Sequence, residues 1–225
     1  VFLLLLVVGF GLGLAYGSWT RVCAGHACPS IAVLDDYRPQ QTSKVYAVDG
    51  RLITELGLER RTLIRLDEMP PALRQAFLAV EDKRFYQHHG IDFSRVLGAI
   101  KANVFSFSWG QGFSTITMQL ARNVFPDRIS REKTLTRKIK EARVARELEQ
   151  TYTKDRILEL YLNQIYLGNG AYGVETAAQR YFGKSARDVN VPEAALLAAL
   201  AQLPERINPR RYPARAVRRR NLVIE

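Results

Sequence analysis

The sequence predicts a mainly α-helical domain with one small β-hairpin, preceded by one transmembrane helix. Three observations predict it. From Pro70 onward, apolar residues recur at helical spacing between capping residues and glycines. Two short β-leaning runs flank Asp49-Gly50. Residues Val1 to Trp19 carry no charge.

As a helix, nineteen residues reach roughly 28 Å at ~1.5 Å each, about the hydrocarbon thickness of a bilayer. Tyr16 and Trp19 stand where interfacial aromatics belong, and Arg21 follows. A cleaved signal peptide would have a shorter apolar core and a small-residue cleavage site. The expectation is a retained anchor over 1–19, a connector over 20–42 and one domain over 43–225. Cys23 and Cys28, with only His26 beside them, do not make a zinc site. They read as a local disulfide if this side of the membrane is extracytoplasmic, and otherwise as two thiols.

Lysine and arginine number 33 against 22 acids, a formal charge of +11, which favours an anionic partner. The arginine-rich end, Arg206 to Arg220, has no nucleic-acid motif or aromatic stacking platform beside it. Anionic lipid head groups fit it better, so no nucleic-acid partner is expected.

The hairpin is expected over Lys44 to Leu56. Pro70-Pro71 opens a helix that runs through Glu81 toward Gly90, its stop. Ser94 caps the next, to about Phe105, with Val96, Ile100 and Val104 as its buried stripe. Ser106 to Phe113 is a glycine- and serine-rich loop, expected to be mobile. Ser114 or Thr115 starts a third helix, and Pro126 stops it. Ser130 to Gln150 reads as a long charged helix with Ile139, Ala142, Ala145 and Leu148 inward. Thr153 caps another, ended by Gly168-Asn169-Gly170; Val174 to Phe182 is closed by Gly183; Pro192 to Gln202 is a core helix; and Val217 to Glu225 is helical.

Three stretches carry chemistry. In Glu81 to Gly90, a carboxylate sits on an apolar helix face near the helix end, where burial raises a pKa and makes a general base. The plainer reading is a solvated helix end. In Gly112 to Asn123, a hydroxyl-capped helix start offers N–H groups to an anion, and Gln119 and Arg122 share one face. The plainer reading is an ordinary cap. In Arg137 to Glu141, two cations and a carboxylate share a face that could hold a pyrophosphate. Here the plainer reading is a surface salt-bridge face. Two carboxylates, a cationic anion site and an anchor together suggest glycosyl transfer from a lipid phosphate.

The motifs are Glu81-Asp82-x-x-Phe85-x-x-His88-x-Gly90, Gly112-x-Ser114-Thr115-Ile116-x-x-Gln119-x-x-Arg122-Asn123, Arg137-Lys138-x-x-Glu141, Lys154-x-x-Ile157-Leu158-Glu159-x-Tyr161-Leu162-Asn163 and Arg219-Arg220-Asn221-x-Val223. In that order the sequence resembles the peptidoglycan glycosyltransferase (transglycosylase) domain of class A penicillin-binding proteins, a lysozyme-like family. Met118 stands where the family often has a first glutamine, and Arg122 where lysine is also common. The resemblance implies an inverting enzyme that polymerises lipid II into β-1,4-linked glycan and releases undecaprenyl pyrophosphate. It implies Glu81 as general base and Glu141 as the donor-site carboxylate. Asp82, Phe85 and His88 would shape the base's surroundings. Ser114, Thr115, Gln119, Arg122, Arg137 and Lys138 would bind pyrophosphate and nearby sugar groups, while Gly90, Glu159 and Asn163 support the site and Tyr161 and Leu162 pack. A divalent cation, Mg²⁺ or Mn²⁺, is the candidate cofactor at Glu141, with no organic cofactor. The partners implied are lipid II, the nascent glycan strand, the membrane and cell-wall synthesis proteins. The place is the outer side of the cytoplasmic membrane, on a single-pass anchor. The lead-in from Ser43 resembles the bifunctional class, with a transpeptidase domain expected beyond residue 225. Two rivals are a lytic muramidase of similar fold, which would not need the cationic set, and an anchored scaffold, which would not need Glu81.

Overall fold

The computed structural model describes residues 9, 13–14, 16–34, 43–56, 60–106, 112–130, 132 and 134–225. The apolar run 1–19 lies mostly outside these residues, as do residues 35–42 of the connector and most of the loop 106–113. Residues 16–21 are helical, and among the described residues no helix is long and apolar enough to cross a membrane.

Strands β1 (Ser43–Tyr46) and β2 (Leu52–Leu56) form the expected antiparallel hairpin, with Ser43 opposite Leu56. The turn is closed by Gly50 N–H donating to the Ala47 carbonyl at 2.9 Å. A two-residue strand β3 (Arg60–Arg61) pairs in parallel with β4 (Ala171–Tyr172). The chain then runs along two helices. Thr62 N–H donates to Thr176 Oγ1 at 2.9 Å, Asn163 exchanges hydrogen bonds of 3.0 and 2.9 Å with the Ile64 backbone, and Leu66 N–H donates to Glu159 Oε2 at 2.8 Å. Asn163 and Glu159 thus fix the approach to the first long helix.

That helix, α1 (Pro71–Glu81), starts at its prolines and turns Leu73, Phe77 and Glu81 inward. It ends at Glu81, not near Gly90, because Asp82 is extended and the chain tightens into a 3₁₀ turn over Phe85–Gln87. Gly90 does other work. Its φ is +86°, and an added Cβ would lie 2.9 Å from the Ala145 carbonyl oxygen, so only glycine lets these two backbones touch. Helix α2 (Phe93–Ser106) is capped by Asp92, not Ser94: Arg95 N–H donates to Asp92 Oδ1 at 3.0 Å. Val96 on α2 is only half-buried, and the Ile100 and Val104 side chains lie outside the described set.

Helix α3 (Ile116–Val124) is the axis of the domain, with six consecutive buried residues, Ile116 to Ala121. Thr115 is its cap, accepting Met118 N–H at 3.2 Å and donating to the Gly90 carbonyl at 2.7 Å. Helix α4 (Leu135–Thr151) begins five residues later than the charge pattern suggests, at the Thr134 cap. Its inward side is Glu141, Val144, Ala145 and Leu148, while Ile139 and Ala142 are only half-buried. A carboxylate has displaced the alanine, so a purely apolar reading of the face misplaces it. Helix α5 (Lys154–Gln164) is capped by Thr153 and ends at Ile165, ahead of the glycine pair. Helix α6 (Val174–Phe182) closes on Gly183, α7 (Val191–Gln202) is the expected core helix, and α8 (Pro213–Ile224) starts four residues before Val217. Helix α3 packs on α4 and α5, and α7 packs on α1 and α8, around one apolar cluster that includes Phe77, Leu120, Leu158, Tyr161 and Leu197.

Candidate active site

The site is built on α3, which meets two carboxylates one turn apart. Gln119 Nε2 donates to Glu81 Oε2 at 2.7 Å. Arg122 Nη1 donates to Glu141 Oε1 at 3.1 Å. The spacing of three residues predicts a shared face, and on the structure each side chain serves a different acid.

Glu81 is the last residue of α1 and is 7% exposed. Burial raises its pKa. The Gln119 amide, the Arg95 charge and Gln202 oppose that shift, and the neighbouring Asp82 carboxylate adds to it. Arg95, from α2, donates to the Glu81 backbone carbonyl at 2.5 Å. Nothing in the sequence pattern distinguishes Arg95 from the other surface arginines. Glu81 lines a cleft of about 320 Å³ with Asp82, Arg84, Asp92 and Arg95. Its Oε1 has no hydrogen-bond partner among the described residues.

Asp82 is 1% exposed and faces inward. Its oxygens accept from His88 Nε2 at 3.0 and 3.1 Å, and Oδ2 accepts Ile116 N–H at 3.1 Å. The helix N-terminus expected to receive a substrate anion therefore already holds an internal one. A carboxylate on the first amide of α3 satisfies an orphan donor and the helix dipole together. His88 stands edge-on to the buried Phe85 ring at 6.3 Å, and Lys154 Nζ lies 4.3 Å from the centre of that ring.

Around Glu141 the charge is inverted. This carboxylate is 0% exposed, with Lys138 Nζ at 2.7 Å, Arg122 Nη1 at 3.1 Å and Arg137 Nε at 3.4 Å. Three cations share one anion, and each keeps a partly exposed side chain. Lys138 also donates to Ser114 Oγ and lies 5.4 Å from the centre of the Phe113 ring. Burial lowers the Lys138 pKa, and Glu141 opposes that shift. The cluster can accept a di-anion without further desolvation of the carboxylate. Both Glu141 oxygens already meet cations, which leaves that carboxylate no free oxygen for a metal.

The structure thus brings Glu81, Asp82, His88, Gln119 and Thr115 to one end of α3, and Glu141, Arg122, Arg137, Lys138 and Ser114 to its flank. Glu159 and Asn163 stand apart, on the segment leading into α1.

The family model for the transglycosylase domain matches residues 49–225. The chain belongs to the transglycosylase family, as the glycosyltransferase domain of class A penicillin-binding proteins. It is 48% identical over 197 residues to penicillin-binding protein 1A of Aquifex aeolicus, covering 88% of this chain and 27% of that protein. It is 47% identical over 214 residues to penicillin-binding protein 1A of Escherichia coli, covering 95% of this chain and 25% of that protein. A crystal structure of penicillin-binding protein 1A from Haemophilus influenzae aligns with a TM-score of 0.46 at 29% identity, covering 84% of this chain and 18% of that one. The transglycosylase chain therefore spans about a quarter of the length of the curated relatives it matches.

Proposed function

We propose that this domain polymerises lipid II into β-1,4-linked glycan, with inversion at the anomeric carbon. The observation that carries the reading is the pairing of α3 contacts: Gln119 on a buried carboxylate of raised pKa, and Arg122 on a carboxylate ringed by cations. Glu81 takes the proton from the acceptor sugar's 4-hydroxyl. That oxygen attacks the anomeric carbon of the growing strand, and the bond to the lipid pyrophosphate breaks. The departing charge falls to Arg122, Arg137 and Lys138, with Ser114 on Lys138. Proximity and electrostatic stabilisation do the rest. Asp82 holds His88 and the start of α3, which keeps Gln119 aimed at Glu81. Because the residues around Glu141 do not suit a divalent cation, no step is assigned to one.

The same reading places the domain on the extracytoplasmic face of the cytoplasmic membrane, held by the apolar run 1–19, in company with cell-wall synthesis proteins. A glycosyltransferase domain over 43–225 and a transpeptidase domain beyond residue 225 complete it. Its support is the uncharged N-terminal run, the basic surface and the family.

The test is polymerisation of purified lipid II, with Glu81→Gln as control. Parent protein should build polymer, and the variant should fold and build none. Release of fragments from finished glycan without polymer from lipid II would establish the lytic rival instead. Undiminished polymerisation by Glu81→Gln would remove Glu81 from the base's role.

A further inference from the structure

Tyr161 stands at the centre of the apolar core, yet it carries a hydroxyl that the core does not use. The side chain is 0% exposed. Its ring meets Phe77 edge-on at 6.4 Å, and Phe77 lies one turn before Glu81 on α1. Its neighbours along α5, Leu158, Leu160 and Leu162, are apolar and buried. A phenylalanine would fill the same space. The hydroxyl has no hydrogen-bond partner among the described residues. A buried polar group in a native core is normally satisfied, so this one calls for a counterpart.

The packing around the phenol points to that counterpart: its ring lies on Phe77, one turn before Glu81, where a second buried oxygen, Glu81 Oε1, also lacks a partner among the described residues. After burial itself, the negative charge of Glu81 does most to raise the Tyr161 pKa, with Asp82 adding and Arg122 opposing. Asp82 is already occupied by His88 and Ile116 N–H, and Arg122 by Glu141. Glu81 Oε1 is buried and has no partner. Gln119 takes Oε2, Arg95 donates to the Glu81 backbone carbonyl, and the Gln202 amide, which also acts on the Glu81 carboxylate, donates to the Val80 carbonyl at 3.3 Å.

We infer that Tyr161 is a positioning residue for Glu81, its hydroxyl joined to Oε1 through one buried water. The link rests on the reading of Glu81 as the base. Gln119 holds one carboxylate oxygen from α3, and Tyr161 holds the other from α5. The base is thereby fixed from two helices, and its charged form gains a second donor. One buried water between two polar atoms of this kind is ordinary in protein interiors.

The experiment is Tyr161→Phe, which removes one hydroxyl and no volume. Losing a donor to the carboxylate disfavours its charged form, so the acid limb of kcat/KM for lipid II polymerisation should move to higher pH. The expected shift is about 0.5 pH unit or more, a roughly threefold change in the ionisation equilibrium. Profiles of parent and variant that superpose would overturn the inference. A stability cycle reads the link without activity: thermal midpoints of parent, Tyr161→Phe, Glu81→Gln and the double variant at pH 7. Tyr161→Phe should change the midpoint differently in the two backgrounds; an equal change overturns the inference. Should the parent fail to polymerise lipid II, the proposed function falls, while the cycle still decides whether the two side chains are joined.

Discussion

At the scale of single residues, Glu81 ties stability and activity to the same proton. Burial raises its pKa in the folded state. Folding then favours the protonated form. The associated stability is fully present below the unfolded value, about 4.3 for glutamate, and is lost as pH rises through the higher folded value. Glu81→Gln removes that loss. Its thermal midpoint should exceed the parent's at pH 7, and the two should converge below about pH 4. Polymerisation should fall by about 100-fold or more, the usual scale for losing a general base. A variant less stable than the parent at pH 7 would mean that the carboxylate is a net structural asset. Glu81 was legible in the sequence because it and Asp82, two adjacent acids, close an apolar helix face. The partner of Asp82 was not, because it is the amide of Ile116, 34 positions away. Local pattern contains no such pairing.

At the scale of elements, α4 shows how charge and burial trade places. Its i, i+3 and i+4 spacing is plain in the sequence, but the depth of Glu141 is not, since helix periodicity assigns apolar residues to the inside. Removing one member of a buried ionic cluster leaves the others uncompensated, at a cost of about 3 kcal/mol. Glu141→Gln should lower the thermal midpoint accordingly, since Arg122, Arg137 and Lys138 would then repel one another. Inorganic pyrophosphate should restore part of the loss, and sodium chloride at equal ionic strength should restore less. An unchanged midpoint, or equal recovery by both salts, would contradict the anion-site assignment. The contact between Gly90 and α4 makes a companion case. Gly90→Ala and Gly183→Ala both put a side chain on a left-handed residue, a strain of about 1–3 kcal/mol. Only at Gly90 does the new carbon meet backbone, at 2.9 Å from Ala145 O; at Gly183 nothing lies within 4 Å. Chemical denaturation should therefore find Gly90→Ala the more damaging, and equal losses would show that α4 can yield. The hairpin and the closed end of α6 could be read from turn and cap residues. The parallel pairing of Arg60–Arg61 with Ala171–Tyr172 could not, because two residues at long separation leave no periodicity to find.

At the scale of the molecule, the segment before the hairpin is attached to the domain more than it is part of it. Cys23 and Cys28 are joined by a disulfide, with Cα atoms 4.8 Å apart, so the pairing expected of an oxidising compartment is realised. Leu34 is buried in the main core, and Cys28 and Ile31 pack against it. Trp19 lies over the Arg143 guanidinium at 5.3 Å, which sets residues 16–21 beside α4. The loop that the disulfide closes is short, and chain entropy alone gives it about 2 kcal/mol. Where that stabilisation appears depends on whether the segment unfolds with the domain. Helix α1 packs on α7 and α3 on α5 without it, so the segment should open on its own. Replacing both cysteines by serine should then shift the main thermal midpoint by less than about 2 °C, the least that 1 kcal/mol of global stability produces at this size. Limited proteolysis should cut the variant within residues 22–30 well before any site in the domain, and the parent should resist there until it is reduced. A fall of about 4 °C or more in the main transition would show the opposite, that the segment and the catalytic domain unfold as one cooperative unit.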